Sequence, residues 1–131
     1  MSLPTDSKAR KGYPLVRGNF RYFPDAHLAV AELSVYGNEK HNPGEELHWS
    51  KGKSNDHADC VGRHLLEPFG VDYSYGPDKP ILHSVAAAWR ALANAQTEIE
   101  ELKAKGEWPL KASVAPVPAN WRGPAFDRGS K

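Results

Sequence analysis

The stretch ILHSVAAAWRALANAQTEIEELKAKG, residues 81 to 106, constrains the fold more than any other part of the chain. Leu82, Val85, Ala86, Trp89, Leu92, Ala93, Gln96, Ile99 and Leu102 recur three and four residues apart, which places them on one side of a helix. Gly106 follows as a stop. A helix with so long an apolar stripe must lay it against other elements, and they must come from what is left of a chain of 131 residues. That length fits one domain, spanning 1–131.

Two shorter helices are available. FPDAHLAVAELSVYGNEK carries Leu28, Ala29, Leu33 and Tyr36 at helical spacing. Pro24 and Asp25 suit its first turn, and Gly37 is the expected stop. SNDHADCVGRHLLE places Cys60, Val61, His64 and Leu65 at helical spacing behind Ser54, the expected N-cap, with Pro68 and Gly70 ending it. No segment reads as strand-rich and none repeats. The expected fold is all-α: a small helical bundle, with a core at 24–105 and an arm at each end. The arm at 1–23 is interrupted by Pro4, Gly12, Pro14 and Gly18, and its Tyr13, Phe20, Tyr22 and Phe23 predict packing against a surface. The arm at 106–131 contains Pro109, Pro116, Pro118 and Pro124, which forbid a helix, while Trp108, Trp121 and Phe126 predict that it wraps a surface.

Charge and cysteine usage narrow the function. Seventeen basic residues against sixteen acidic give a net charge of +1, which does not describe a strongly basic nucleic-acid binder. A single cysteine, Cys60, excludes an intramolecular disulfide framework and a multi-cysteine zinc site. The opening MSLPTDSKARKGYP has no apolar run, and no stretch reaches the length of a membrane helix, so the expected location is the cytoplasm. So modest a core makes association into a homo-oligomer the expectation.

The chemistry-bearing residues cluster between 32 and 72. Asp56 and Asp59 stand one helical turn apart, so their carboxylates repel unless a hard cation or the helix N-terminus offsets them. They are therefore either ligands for Mg²⁺ or Mn²⁺ or part of a solvated helix face. Glu32, on the preceding helix, either joins them or forms an ion pair with Arg63 or Arg90. The long polar loop GNEKHNPGEELHWSKGK supplies Lys40, His41, Lys51 and Lys53 just before Ser54 and Asn55, a setting suited to phosphate oxygens or simply to solvent. Trp49 in that loop either stacks on a base or anchors the loop on the core. Arg63 can hold Asp59 or a phosphate. His64 and His83 are donors to phosphate or structural residues. Asp72 either completes a metal shell or caps a turn. No Walker-type loop, GxGxxG motif or His-Asp dipeptide is present, and Cys60 lacks an orienting partner for a nucleophile.

The ordered set KHNPGEELHW, KSNDHADCVGRHLLE and HSVAAAWRALANAQ resembles the MazG-like phage dATP/dGTP diphosphohydrolases of the MazZ type, within the all-α nucleoside triphosphate pyrophosphohydrolase superfamily. The resemblance covers roughly residues 20 to 100. It implies a helical core that associates into dimers or tetramers in the host cytoplasm and holds two or three Mg²⁺ or Mn²⁺ ions on helix-borne carboxylates. It implies hydrolysis of purine (d)NTPs, dGTP or dATP, to a monophosphate and pyrophosphate, in phages that carry 2-aminoadenine. By position it makes Glu32, Asp56 and Asp59 metal ligands and catalytic residues. Ala29 and Val35 stand where the superfamily has further glutamates, so a loop acid such as Glu39, Glu45 or Glu46 replaces the missing ligand, or fewer ions bind. Arg63 is then a catalytic cation, and Lys40, Trp49, Lys51, Lys53, Ser54, Asn55 and His64 contact substrate. The alternative from another class is a non-catalytic helical module that binds nucleic acid or serves a structural role in a phage.

Overall fold

The computed structural model describes residues 3–67, 69–112 and 119–120. It is predominantly helical. In chain order it has α1 (Ser7–Arg10), one turn of π-helix (Val16–Phe20), α2 (Pro24–His41), α3 (His57–Leu65), β1 (Val71–Asp72), β2 (Ile81–Leu82) and α4 (His83–Ala104). Two compact units divide the chain, Met1–Glu98 and Ile99–Lys131. Among the described residues no helix is long and apolar enough to cross a membrane.

The expected helices form, with shifted ends. Helix α2 begins at Pro24 and carries Asp25 in its first turn, but it passes through Gly37 and stops at His41. A helical glycine costs only about 1 kcal/mol, whereas Pro43 disfavours helical backbone at the residue before it. Asn42 accordingly leaves the helix, with φ −133° and ψ 55°. Helix α3 is capped by Asp56, not Ser54, and the cap side chain makes no bond to the helix backbone. Helix α4 starts at His83 because Ile81 and Leu82 pair antiparallel with Asp72 and Val71. This short ribbon corrects the purely all-α expectation. The 1–23 arm is also more regular than expected. Asp6 caps α1, accepting from the Ala9 N–H at 2.8 Å. His27 on α2 bonds Asn19 at 2.8 Å, and the rings of Phe20 and Phe23 pack against it.

The core of the first unit is Leu33, Ile81 and Ala86, with Tyr36, Tyr75, Val85 and Trp89 around it. Ala86, Ala87 and Ala93 are the buried residues of α4, so small side chains, not the large ones of the stripe, meet the interior; Leu92 and Leu82 are half exposed. Leu28, expected on the apolar face of α2, is exposed.

In the second unit α4 ends in a Schellman motif. Gly106 takes φ +71°, its N–H donates to the Lys103 carbonyl at 3.0 Å, and the Glu107 N–H donates to that of Leu102 at 2.8 Å. Positive φ at this position is the reason for glycine. Trp108 is half buried, while Trp121 and Phe126, and the wrapping expected of them, lie outside the described residues, as does Pro68.

Candidate functional site

Position along α2 decides which of its residues reach the site. Val30, Leu33, Ser34, Gly37, Asn38 and His41 recur at helical spacing and line one wall of a cleft of about 720 Å³. Helix α4 gives the opposite wall through Ala86, Trp89, Arg90, Leu92, Ala93 and Gln96. The loop between α2 and α3 closes one side with Trp49, Ser50, Lys51, Lys53 and Ser54 among others, and His57, His64 and Tyr75 also contribute to the lining. Volume and composition, apolar walls with a few converging polar groups, are those of a small-molecule site.

Two asparagines fold the loop into place. Asn38 and Asn42 are four residues apart, so they share a face of α2. The Asn42 amide donates to Asn38 Oδ1 at 3.2 Å, and its own Oδ1 accepts from the Ser50 hydroxyl at 3.1 Å. Asn38 Oδ1 also accepts the His48 backbone N–H at 3.3 Å, and Asn38 Nδ2 donates to the Glu45 carbonyl at 3.0 Å. These bonds carry Trp49 to Trp89, where the rings meet edge to face with centroids 5.6 Å apart. The Trp89 indole N–H donates to the Ser34 hydroxyl at 3.0 Å, which ties α4 to α2.

Arg90 is the cation built into the cleft. Its Nη1 donates to Ser54 Oγ at 2.9 Å and to His57 Nδ1 at 3.1 Å. A guanidinium can only donate, so His57 Nδ1 accepts and the ring proton sits on Nε2. The Ser54 hydroxyl in turn donates a hydrogen bond to Asp56 Oδ1 at 2.6 Å, and Arg63 Nη2 donates to Asp56 Oδ2 at 3.0 Å. The Ser54 and Arg63 bonds lower the pKa of Asp56 to about 2. Lys51 lies over the Trp49 ring, 5.1 Å from its centroid.

The acidic residues named from the sequence are not brought together here. Glu32 is exposed and lies on the side of α2 away from the cleft, since a step of about 100° per residue sets it nearly opposite Ser34 and Gly37. Asp59 and Arg63 are exposed on α3, whose buried residues are His57 and Cys60. Both oxygens of Asp56 are engaged by Ser54 and Arg63. Glu46 is exposed and lends its backbone carbonyl to His48 Nδ1 at 2.9 Å. Among the described residues, the group of three or more His, Cys, Asp or Glu ligand atoms lying within 4.8 Å of one another is His64, Asp72 and His83, not Glu32, Glu46, Asp56 and Asp59. The four carboxylates therefore do not fit a shared cage for Mg²⁺ or Mn²⁺.

Of the expected substrate contacts, Trp49, Lys51, Lys53, Ser54 and His64 line the cleft. Asn55 is exposed outside the lining, and Lys40 turns to the loop after β1, donating to the Ser74 carbonyl at 3.3 Å and lying over the Tyr75 ring. Arg90, His57 and Ser34 are the cleft residues that a reading of the 32–72 cluster misses or underrates. From the sequence Arg90 enters only as an ion-pair alternative for Glu32, whereas its bonds go to Ser54 and His57. No family model matches this chain, and neither a curated protein nor a solved structure matches it.

Proposed function

We propose that the cleft binds a purine (d)NTP and that the protein hydrolyses it to a (d)NMP and pyrophosphate, water adding to the α-phosphorus as the bond to the β-phosphate oxygen breaks. The observation that carries this reading is the pairing, in one cleft, of an aromatic wall with a fixed cation. Trp49 and Trp89 offer ring surface to a base, and Arg90, with Lys51 and Lys53 on the same lining, offers positive charge to phosphates. Phosphoryl transfer needs positioning and charge neutralisation more than covalent catalysis, and a guanidinium held by Ser54 and His57 is already oriented for that.

The divalent ion in this reading, Mg²⁺ or Mn²⁺, is the one the triphosphate carries with it, because the four acids do not gather. A homo-oligomer belongs to the same proposal. Leu28, Leu65, Leu66 and Phe69 are exposed and supply apolar surface for it.

Incubation with each (d)NTP and Mg²⁺ or Mn²⁺, with separation of products, tests the reading. Monophosphate plus pyrophosphate is expected, and Arg90→Ala should remove it while helix content survives. Diphosphate plus phosphate, or no turnover of any nucleotide, overturns it. Salt-sensitive binding of single-stranded DNA without turnover would favour the nucleic-acid module instead.

A further inference from the structure

At the end of the cleft where His64 lies, three side chains from separate elements converge. His64 comes from the last turn of α3, Asp72 from β1, and His83 from the first residue of α4. The ribbon fixes two of them. Asp72 pairs with Ile81, and His83 follows Leu82 directly, its N–H donating to the Gly70 carbonyl at 3.0 Å. Gly70 also makes room for the imidazole: a Cβ there would stand 3.0 Å from His83 Cδ2 and 3.1 Å from the Glu67 carbonyl oxygen. The backbone between α3 and β1 is thus shaped around the His83 ring.

His64 Nδ1 and His83 Nδ1 lie 2.9 Å apart, with the rings tilted by 38°. Two imidazole nitrogens each about 2.05 Å from one ion are separated by about 2.9 Å at the right angle of an octahedral ion and by about 3.3 Å at the tetrahedral angle, so the pair already stands at, or within about 0.4 Å of, a chelating separation. A ligand oxygen of Asp72 falls within the same 4.8 Å group. The Ser74 backbone N–H donates to Asp72 Oδ1 at 2.8 Å and orients the carboxylate, as a supporting partner does around a bound metal. All three residues are half buried. Without an ion the contact is an Nδ1–H···Nδ1 hydrogen bond between the two rings. A bound ion would displace that proton, each imidazole then carrying its proton on Nε2 and offering its Nδ1 lone pair, and the carboxylate brings one negative charge for a dication.

We propose that His64, Asp72 and His83 form a binding site for a divalent transition-metal ion of the Zn²⁺, Co²⁺ or Ni²⁺ class. Two imidazoles favour these ions over Mg²⁺, which selects oxygen ligands and water. Three protein ligands leave coordination positions for water or for an oxygen of whatever occupies the cleft, which His64 also lines. The site stands on its own geometry and does not depend on the nucleotide reading.

The test is titration of the full chain, first freed of metal by chelator, with Co²⁺ and with Zn²⁺. Calorimetry gives the stoichiometry, and the Co²⁺ ligand-field bands in the visible report nitrogen ligation. One ion per chain is expected, with a rise in Tm on addition of Zn²⁺. His83→Gln and His64→Gln should each weaken Co²⁺ binding by more than about tenfold and alter its bands. Asp72→Asn, nearly isosteric, should do the same with an unchanged circular dichroism spectrum, which covers the case in which a histidine variant fails to fold. His48→Gln, a histidine outside the trio, should leave binding unchanged. Retention of the wild-type affinity and spectrum in His64→Gln or Asp72→Asn overturns the site, as does a preference for Mg²⁺ over Co²⁺ and Zn²⁺. Nucleotide turnover in Mg²⁺ is scored separately, so loss of one result does not obscure the other.

Discussion

Arg90 and His57 face each other across the floor of the cleft, guanidinium Nη1 to imidazole Nδ1 at 3.1 Å, on helices that begin 26 residues apart in the chain. The same nitrogen holds Ser54, so one side chain of α4 fixes both the start of α3 and the end of the preceding loop. Its loss has two consequences. Arg90→Ala removes the positive charge and leaves His57, which is buried, without its donor. Nucleotide binding, followed by quenching of Trp49 and Trp89 fluorescence, is expected to weaken by at least about tenfold, the scale of one charge-assisted hydrogen bond. Arg90→Lys retains the charge but not the planar fork, and an intermediate affinity is expected. Equal binding by all three proteins would show that ligand does not meet this residue.

The bond from the Trp89 indole to Ser34 makes a separate prediction. Ser34 accepts from Trp89 at 3.0 Å and in turn donates to the Val30 carbonyl at 3.2 Å. Ser34→Ala leaves a partly buried N–H without its acceptor, a loss of about 1–3 kcal/mol. Urea unfolding should show it as a lower midpoint at unchanged slope, and Ser34→Thr, which keeps a hydroxyl, should retain most of the stability. An unchanged midpoint in Ser34→Ala would mean that water replaces the hydroxyl without cost.

These two contacts also show what the sequence discloses and what it hides. The long stripe of α4 was legible because its period is local, and Trp89, Ala86 and Ala93 fall on the face it predicts. Which members of the stripe are buried was not legible, since that depends on how closely α2 approaches: alanines are covered while Leu92 stays half exposed. The end of α2 was misplaced because glycine is a weak stop and Pro43 a strong one. Asp56 and Asp59 read as a pair because they are close in sequence, yet Arg63 and Ser54 answer the charge of Asp56 locally. The outer members of the trio His64, Asp72 and His83 stand 19 positions apart, and the trio is assembled by a ribbon of two residues per strand, too short to give an alternating pattern.

The loop that delivers Trp49 hangs on Asn42, which is 5% exposed and uses both ends of its amide. Asn42→Ala leaves Ser50 and Asn38 short of a partner, at a cost of about 1–3 kcal/mol. Because the bonds released are those that dock the loop, the effect should exceed the stability loss at the site itself. Hydrogen exchange at residues 45–53 is expected to rise by more than it does along α4, and Trp49 emission should shift to the red. Uniform loss of protection across the whole chain would instead mark Asn42 as a general core residue.

Asp56 supplies a pH test with a definite sign. The hydrogen bond from Ser54, then that from Arg63, lower its pKa from the usual 3.8 to about 2 in the folded chain. The unfolded chain therefore takes up the proton first as pH falls. The stabilisation from this group is complete above the unfolded value and is lost as the pH drops from about 4 through about 2. Asp56 and Arg63 are both largely exposed, so salt screens the pair and the effect is small. In Asp56→Asn that part of the acid dependence should disappear, giving a shallower fall of the urea midpoint between about pH 4 and pH 2 than in the parent. High salt should shrink the difference between the two proteins. If the acid limbs of both superimpose at low salt, the Ser54–Asp56–Arg63 chain contributes nothing to folding.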